Sequence, residues 1–157
     1  KENIVLTGMP GSGKSTVGKL LKIDGFSFVD TDEEIEKRCG CSIKELIDRK
    51  GEKYFRDLET EVIKDISSKG CQIISTGGGV VTRPENYAPL CQNGKIVFIT
   101  RDISLLAKDG RPLSMSANLS EMYKARLPLY QQFCDFEVAN TEPRDTAEQI
   151  IKWFLED

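Results

Sequence analysis

The sequence predicts an α/β fold, a mostly parallel sheet flanked by helices, and three observations carry that prediction. Short, β-branched apolar runs alternate along the chain with helix-period patterns. The first of these runs ends in a glycine-rich turn that opens directly into a helical pattern. The length of 157 residues suffices for one domain, spanning residues 1–157, with a single buried core and no repeat, low-complexity tract or dividing linker.

Taken in order, Asn3-Ile-Val-Leu-Thr7 is a buried strand, short and branched. Lys14 to about Leu21 is a helix, with Val17, Leu20 and Leu21 at core spacing. Phe26 to Val29 forms a weaker strand ending at Asp30, and Ser42-Ile-Lys-Glu45 matches a capping box that opens a short helix. Glu52 to Ser68 is the clearest early helix. Phe55, Leu58, Val62 and Ile66 fall on one stripe there, and Gly70 is placed to stop it. Cys71 to Thr76 is a strand that runs into Gly77-Gly78-Gly79. Lys95 to Thr100, almost continuously apolar, belongs at the centre of the sheet. Residues 108–118 are expected to form a mobile surface loop, and residues 119–134 a helix broken or kinked at Pro128. Phe136 to Ala139 is a short last strand. The terminal helix shows Ala147, Ile150, Ile151, Phe154 and Leu155 at i, i+3, i+4, i+7 and i+8.

Composition narrows the chemistry. The chain has no histidine, which excludes a Ser-His-Asp triad, a Cys-His nucleophile, histidine zinc sites and a histidine base. Acid–base work must come from Asp, Glu, Lys, Tyr or Cys. A net charge of −3 argues against a general nucleic-acid or membrane-surface binder. Cys39, Cys41, Cys71, Cys91 and Cys134 are odd in number and lack C-x-x-C spacing, so reduced thiols are expected, including the close pair in Cys39-Gly40-Cys41. No apolar run approaches the ~20 residues of a membrane span. Lys1-Glu2 leads straight into the first strand, without the pattern of a signal peptide. The expected compartment is a reducing cytoplasm.

Four constellations carry chemistry. Gly8-Met9-Pro10-Gly11-Ser12-Gly13-Lys14-Ser15-Thr16 fits G-x-x-x-x-G-K-[ST] between a strand and a helix, the context that phosphate-binding loop requires. Its glycines let successive N–H groups curl around phosphate oxygens at a helix N-terminus. Lys14 adds a point charge for the β/γ-phosphates, and the Ser15 hydroxyl can ligate Mg²⁺. Asp30-Thr31-Asp32 follows the second strand. If that segment stays extended its two carboxylates point the same way, one to hold a metal through water and one to accept a proton from an alcohol. The competing reading is a helix N-cap. Gly77-Gly78-Gly79 lets backbone approach a ligand closely, or simply makes a sharp turn. Arg56, Arg111 and Arg126 can each grip a carboxylate or phosphate. For Arg56 the plainer alternative is a surface ion pair with Glu59, three residues on.

In combination and in order, the loop Gly8–Thr16, Asp30-Thr-Asp32, Phe55-Arg56-Asp-Leu-Glu59, Gly77-Gly-Gly79, Gly110-Arg-Pro-Leu113 and Arg126-Leu-Pro-Leu-Tyr130 resemble the shikimate kinase family over essentially the whole chain. The resemblance implies a P-loop NTPase fold of the nucleoside-monophosphate-kinase-like kind: a parallel five-stranded sheet flanked by helices, with a substrate subdomain and a lid. It implies transfer of the ATP γ-phosphoryl group to the 3-hydroxyl of shikimate, in the pathway to chorismate and aromatic amino acids, by a monomer using Mg²⁺.

Carried onto this sequence, Gly11, Ser12, Gly13, Lys14, Ser15 and Thr16 bind ATP, and Ser15 with Asp30 positions the metal. Asp32 binds the acceptor hydroxyl and acts as, or stands in for, the general base. Arg56 and Arg126 grip the acceptor carboxylate, Gly77, Gly78 and Gly79 line its site, and Arg111 reaches phosphate from the lid. Between Thr100 and Gly110 the chain is shorter than the family's usual lid and shows no adenine-stacking arginine; Lys108 or Arg144 are the cations available for that face. The alternatives are a gluconate or nucleoside-monophosphate kinase and a degenerate ATP-binding module. A GTPase is disfavoured because the chain has no N-K-x-D sequence.

Overall fold

The computed structural model describes residues 2–106 and 113–156, with backbone alone over 113–117. Five strands, β1 (Asn3–Thr7), β2 (Ser27–Asp30), β3 (Gln72–Ser75), β4 (Gly94–Thr100) and β5 (Phe136–Ala139), form one sheet in the order β2-β3-β1-β4-β5. Every pairing is parallel. Buried on both faces, such strands have no polar side to show, and β1 is buried along its whole length.

The period of two in a strand divides the core. Ile4 and Leu6 face one layer, with Val17 and Leu21 from the helix α1 (Lys14–Leu20) and its C-terminal edge and Ala147 and Ile150 of the terminal helix α8 (Pro143–Glu156). Val5 faces the other layer, where Phe55, Val62, Ile63 and Ile66 of α4 (Glu52–Ser67) pack with Phe98 and Tyr130. The stripe seen in the sequence over Glu52 to Ser68 is that buried face.

Between β2 and α4 lie α2 (Thr31–Cys39) and α3 (Ile43–Lys50). The Ser42 hydroxyl accepts from the Glu45 amide at 3.1 Å, the cap that the sequence predicts. After β3 come two short 3₁₀ turns and α5 (Tyr87–Gln92); after β4 comes α6 (Ile103–Leu106). All five cysteines are free.

One expectation is corrected: residues 113–118, expected in a loop, open the helix α7 (Leu113–Phe133). Of the break or kink expected at Pro128, the break does not occur, since Pro128 lies inside that continuous helix. Proline removes one hydrogen bond there. Leu127, Leu129 and Tyr130 nevertheless pack on the core from both sides of it, and this burial holds the helical path. The remainder of the expected loop, with Arg111 and Lys108, falls outside the described residues.

Candidate active site

All strand C-termini of a parallel sheet point one way, so the loops after β1, β2 and β3 meet at one edge. The loop after β1 leaves on Gly8, whose φ of 152° and whose 2.5 Å gap between a notional Cβ and the Ile99 carbonyl oxygen both demand glycine. Gly13 ends the loop at φ 92° as the left-handed N-cap of α1. The loop is braced from distant strands: Asn140 Nδ2 donates to the Ser12 carbonyl at 2.7 Å, and Arg101 to the Gly11 carbonyl at 2.7 Å.

Lys14 is 9% exposed and its Nζ lies back over the loop, donating to the carbonyls of Gly8 at 2.8 Å and Met9 at 3.0 Å. Burial pulls its pKa down to about 8, against the opposing pull of Asp32 and Asp30. The Ser15 hydroxyl donates to Asp30 Oδ2 at 2.8 Å. Asp30 Oδ1 at the same time accepts from the amides of Asp32 at 2.9 Å and Glu33 at 3.3 Å.

The Asp30-Thr-Asp32 segment is therefore not extended throughout. Asp30 closes β2 and caps α2, while Asp32 sits in the first turn of that helix. Of the two readings of Asp30, the helix cap is the one seen: Oδ1 caps α2, and Oδ2 accepts from Ser15. A hydroxyl and a carboxylate oxygen are hard donors, and such a pair beside a phosphate cleft suits a small divalent cation that completes its shell with phosphate and water. No cluster of three or more metal-ligating side chains exists among the described residues.

Asp32 stands where two clefts join. The first, about 340 Å³, is lined by Gly11, Gly13, Lys14, Ser15, Thr16 and Asp30. The second, about 200 Å³, is lined by Arg56, Glu59, Arg126, Gly77 and Gly79, with Ile43, Phe55 and Met122 as its apolar wall. Pro10, Asp32 and Gly78 belong to both. Burial pushes the Asp32 carboxyl up to about 6, and the negative charges of Asp30 and Glu59 add to it. A carboxylate so poised can take a proton near neutral pH.

In the second cleft Arg56 and Glu59 pair at 2.9 Å, with side chains only 16% and 1% exposed. The surface ion pair is thereby corrected: it is buried, and it holds the guanidinium over the glycine turn. Gly77-Gly78-Gly79 adopt no positive φ, so their need for glycine is space. A Cβ on Gly77 would stand 2.7 Å from Asp32 Oδ1, one on Gly78 2.7 Å from Pro10 Cδ, and one on Gly79 would collide with the Arg56 guanidinium. Burial raises the Glu59 carboxyl against the pull of Arg56 and Arg126, and its Oε2 has no partner among the described residues.

Every predicted site residue among those described thus gathers at this edge, Ser12 through its backbone; Arg111 lies outside the described residues. Arg144 is exposed in the first turn of α8, which starts just past Asn140. Sequence reasoning missed Glu59, Tyr130, Asn140 and Arg101 as parts of the site. The i,i+3 spacing from Arg56 and the Arg126-Leu-Pro-Leu-Tyr130 run were usable signals for the first two. Asn140 and Arg101 reach the loop from 128 and 90 residues away and carry no local signal.

The chain is similar in sequence and in overall fold to known proteins. A family model described as shikimate kinase matches residues 10–156. The shikimate kinase of Caldicellulosiruptor bescii is 42% identical, with 98% of this chain and 96% of that protein covered. That of Thermodesulfovibrio yellowstonii is also 42% identical, covering 96% and 94%. Among solved structures, shikimate kinase from Acinetobacter baumannii in complex with shikimate superposes with a TM-score of 0.91 at 31% identity, covering 99% of this chain and 93% of that one. The Aquifex aeolicus enzyme gives 0.85 at 36% identity, covering 98% and 96%. With its phosphate loop, its arginine-lined second cleft and these relatives, the chain belongs to the shikimate kinase family.

Proposed function

We propose that the chain transfers the γ-phosphoryl group of ATP to the 3-hydroxyl of shikimate, giving shikimate 3-phosphate and ADP. Family membership supports an ATP-dependent kinase, and the observation that carries the acceptor assignment is Asp32 at the junction of a phosphate cleft and an arginine-lined cleft. Two guanidinium-bearing walls fit a small carboxylate-bearing polyol better than a nucleobase.

In this reading the amides of Gly11 to Thr16 and the Lys14 ammonium hold the β- and γ-phosphates, which is most of what phosphoryl transfer asks of a protein. On nucleotide binding Lys14 exchanges two backbone carbonyls for phosphate oxygens. Arg56, fixed by Glu59, and Arg126 grip the acceptor carboxylate and present the hydroxyl to Asp32, which accepts its proton. Ser15 and Asp30 would hold Mg²⁺, which supplies charge neutralisation on the phosphates when bound. Arg111 is assigned to the γ-phosphate on the strength of the Gly110-Arg-Pro-Leu113 match alone. The reading extends to a monomeric cytoplasmic enzyme; no helix among the described residues is long and apolar enough to cross a membrane.

The deciding experiment is a coupled ADP-release assay with ATP, Mg²⁺ and, in parallel, shikimate, gluconate and nucleoside monophosphates. Turnover with shikimate alone is expected. Turnover of another acceptor without shikimate would overturn the assignment.

A further inference from the structure

Tyr130 is fully buried, and its ring stacks on Phe98 of β4 with centroids 4.8 Å apart. A core aromatic would ordinarily end the account there. Its hydroxyl, however, donates to the Gly78 carbonyl at 2.5 Å, across 52 residues of sequence. Arg126 lies one turn earlier on α7, and its positive charge acts on the same phenol. Burial holds the phenol proton up to about 12, so the hydroxyl stays a donor at any working pH.

The glycine turn leaves few other ways to hold Gly78. The Gly77 and Gly79 carbonyls are taken locally by the amides of Val80 at 3.2 Å and Thr82 at 3.0 Å. Gly78, the one glycine common to both clefts, presses on Pro10 of the phosphate loop on one side and is tied to Tyr130 on the other. A single hydroxyl thus links the turn to the helix that carries Arg126.

We propose that Tyr130 is a positioning residue for the acceptor: its hydroxyl fixes the Gly78 backbone and the Arg126 guanidinium relative to each other, and so sets acceptor affinity. The inference rests on the acceptor assignment made above. It concerns the phenol oxygen, as distinct from the ring, whose role is packing.

Tyr130→Phe keeps the ring and removes only the link. The loss of one hydrogen bond within the acceptor site is expected to raise the shikimate KM roughly five- to tenfold, with kcat and the ATP KM within about twofold of wild type. Phe98→Leu is the control: it removes the stacking partner, lowers the melting temperature and is expected to leave the shikimate KM in place. An unchanged shikimate KM in Tyr130→Phe overturns the proposal. So do shikimate and ATP KM values that rise together in Tyr130→Phe, and so does a Tyr130→Phe protein that fails to fold, since the hydroxyl is then a core feature. If wild type turns over shikimate while Tyr130→Phe matches it, this inference alone falls; if wild type does not, the acceptor assignment falls with it.

Discussion

Replacing Asp32 by Asn is expected to make the protein more stable and nearly inactive at once. The folded structure holds the Asp32 carboxyl at about 6, against an ordinary value of 3.8, because it is buried beside Asp30 and Glu59. Between about pH 4 and pH 6 the folded state therefore binds a proton that the unfolded state has released, and stability falls as pH rises. Above pH 6 the whole cost is present, about 3 kcal/mol as a ceiling. Asn carries no charge and escapes it. The substitution forfeits a favourable charge in the first turn of α2, about 0.3–1 kcal/mol, leaving a net gain of about 2 kcal/mol. For a domain of this size that is roughly 4–8 °C in melting temperature at pH 8. Thermal unfolding of both proteins followed by circular dichroism from pH 4 to pH 8 measures it, with the gap closing toward pH 4. In the same preparation kcat should drop roughly 100-fold or more, with ATP binding retained. A melting-temperature gap that is absent at pH 8, or independent of pH, would refute the electrostatic reasoning; near-normal turnover would remove Asp32 from the role of base.

Other outcomes follow from the same geometry. In wild type, kcat/KM for shikimate should fall below pH of about 6 as Asp32 takes up a proton, and kcat/KM for ATP should fall above about 8 as Lys14 loses one; profiles flat from pH 5 to pH 9 would contradict both. Gly79→Ala drives a methyl into the Arg56 guanidinium and breaks its pair with Glu59, so the shikimate KM should rise roughly 10-fold or more while the ATP KM holds. Isothermal titration with each ligand would detect a failure of that selectivity. The short lid expected between Thr100 and Gly110 should weaken ATP binding relative to a longer-lid shikimate kinase, so side-by-side kinetics should give the longer-lid enzyme the tighter ATP KM, with similar shikimate KM; an equal or weaker value would count against the lid argument.

The parts of this molecule legible in the sequence are those whose causes are local. The loop Gly8–Thr16 declares itself because its glycines, lysine and serine must be consecutive, and the strands show because burial on both faces leaves unbroken apolar runs. Ser42 is a local cap and lies where the sequence puts it. The misreadings share one cause. Arg56-x-x-Glu59 is a surface pair on any isolated helix, and only the glycine turn of another segment, packed over it, makes it a buried clamp. Pro128 should interrupt an isolated helix, and only the core beneath Leu127 and Tyr130 keeps that helix whole. Of the two local readings of Asp30 the fold shows the helix cap, and it gives the second carboxylate oxygen a further partner in Ser15.

That double use bears on how a site without histidine manages proton chemistry. The helix-capping amides and Ser15 occupy both oxygens of Asp30, and Glu59 pairs with Arg56. Asp32 has no ion pair among the described residues, only the charge of Lys14 to offset its burial, and it is pushed up to about 6; burial raises Glu59 too, there against the pull of Arg56. On the proposed reading the three neighbouring carboxyls are sorted by their partners: Asp30 serves the cap and a cation, Glu59 holds Arg56, and Asp32 is left to exchange a proton. Lys14 shows the converse, a buried cation drawn down to about 8 with only backbone carbonyls to satisfy it. Both groups sit in conditions that disfavour their charged forms until a ligand arrives. On the proposed reading, phosphate arriving beside Lys14 and an alcohol beside Asp32 would relieve a cost the fold already carries, which would tie recognition of the two substrates to the residues assigned the chemistry.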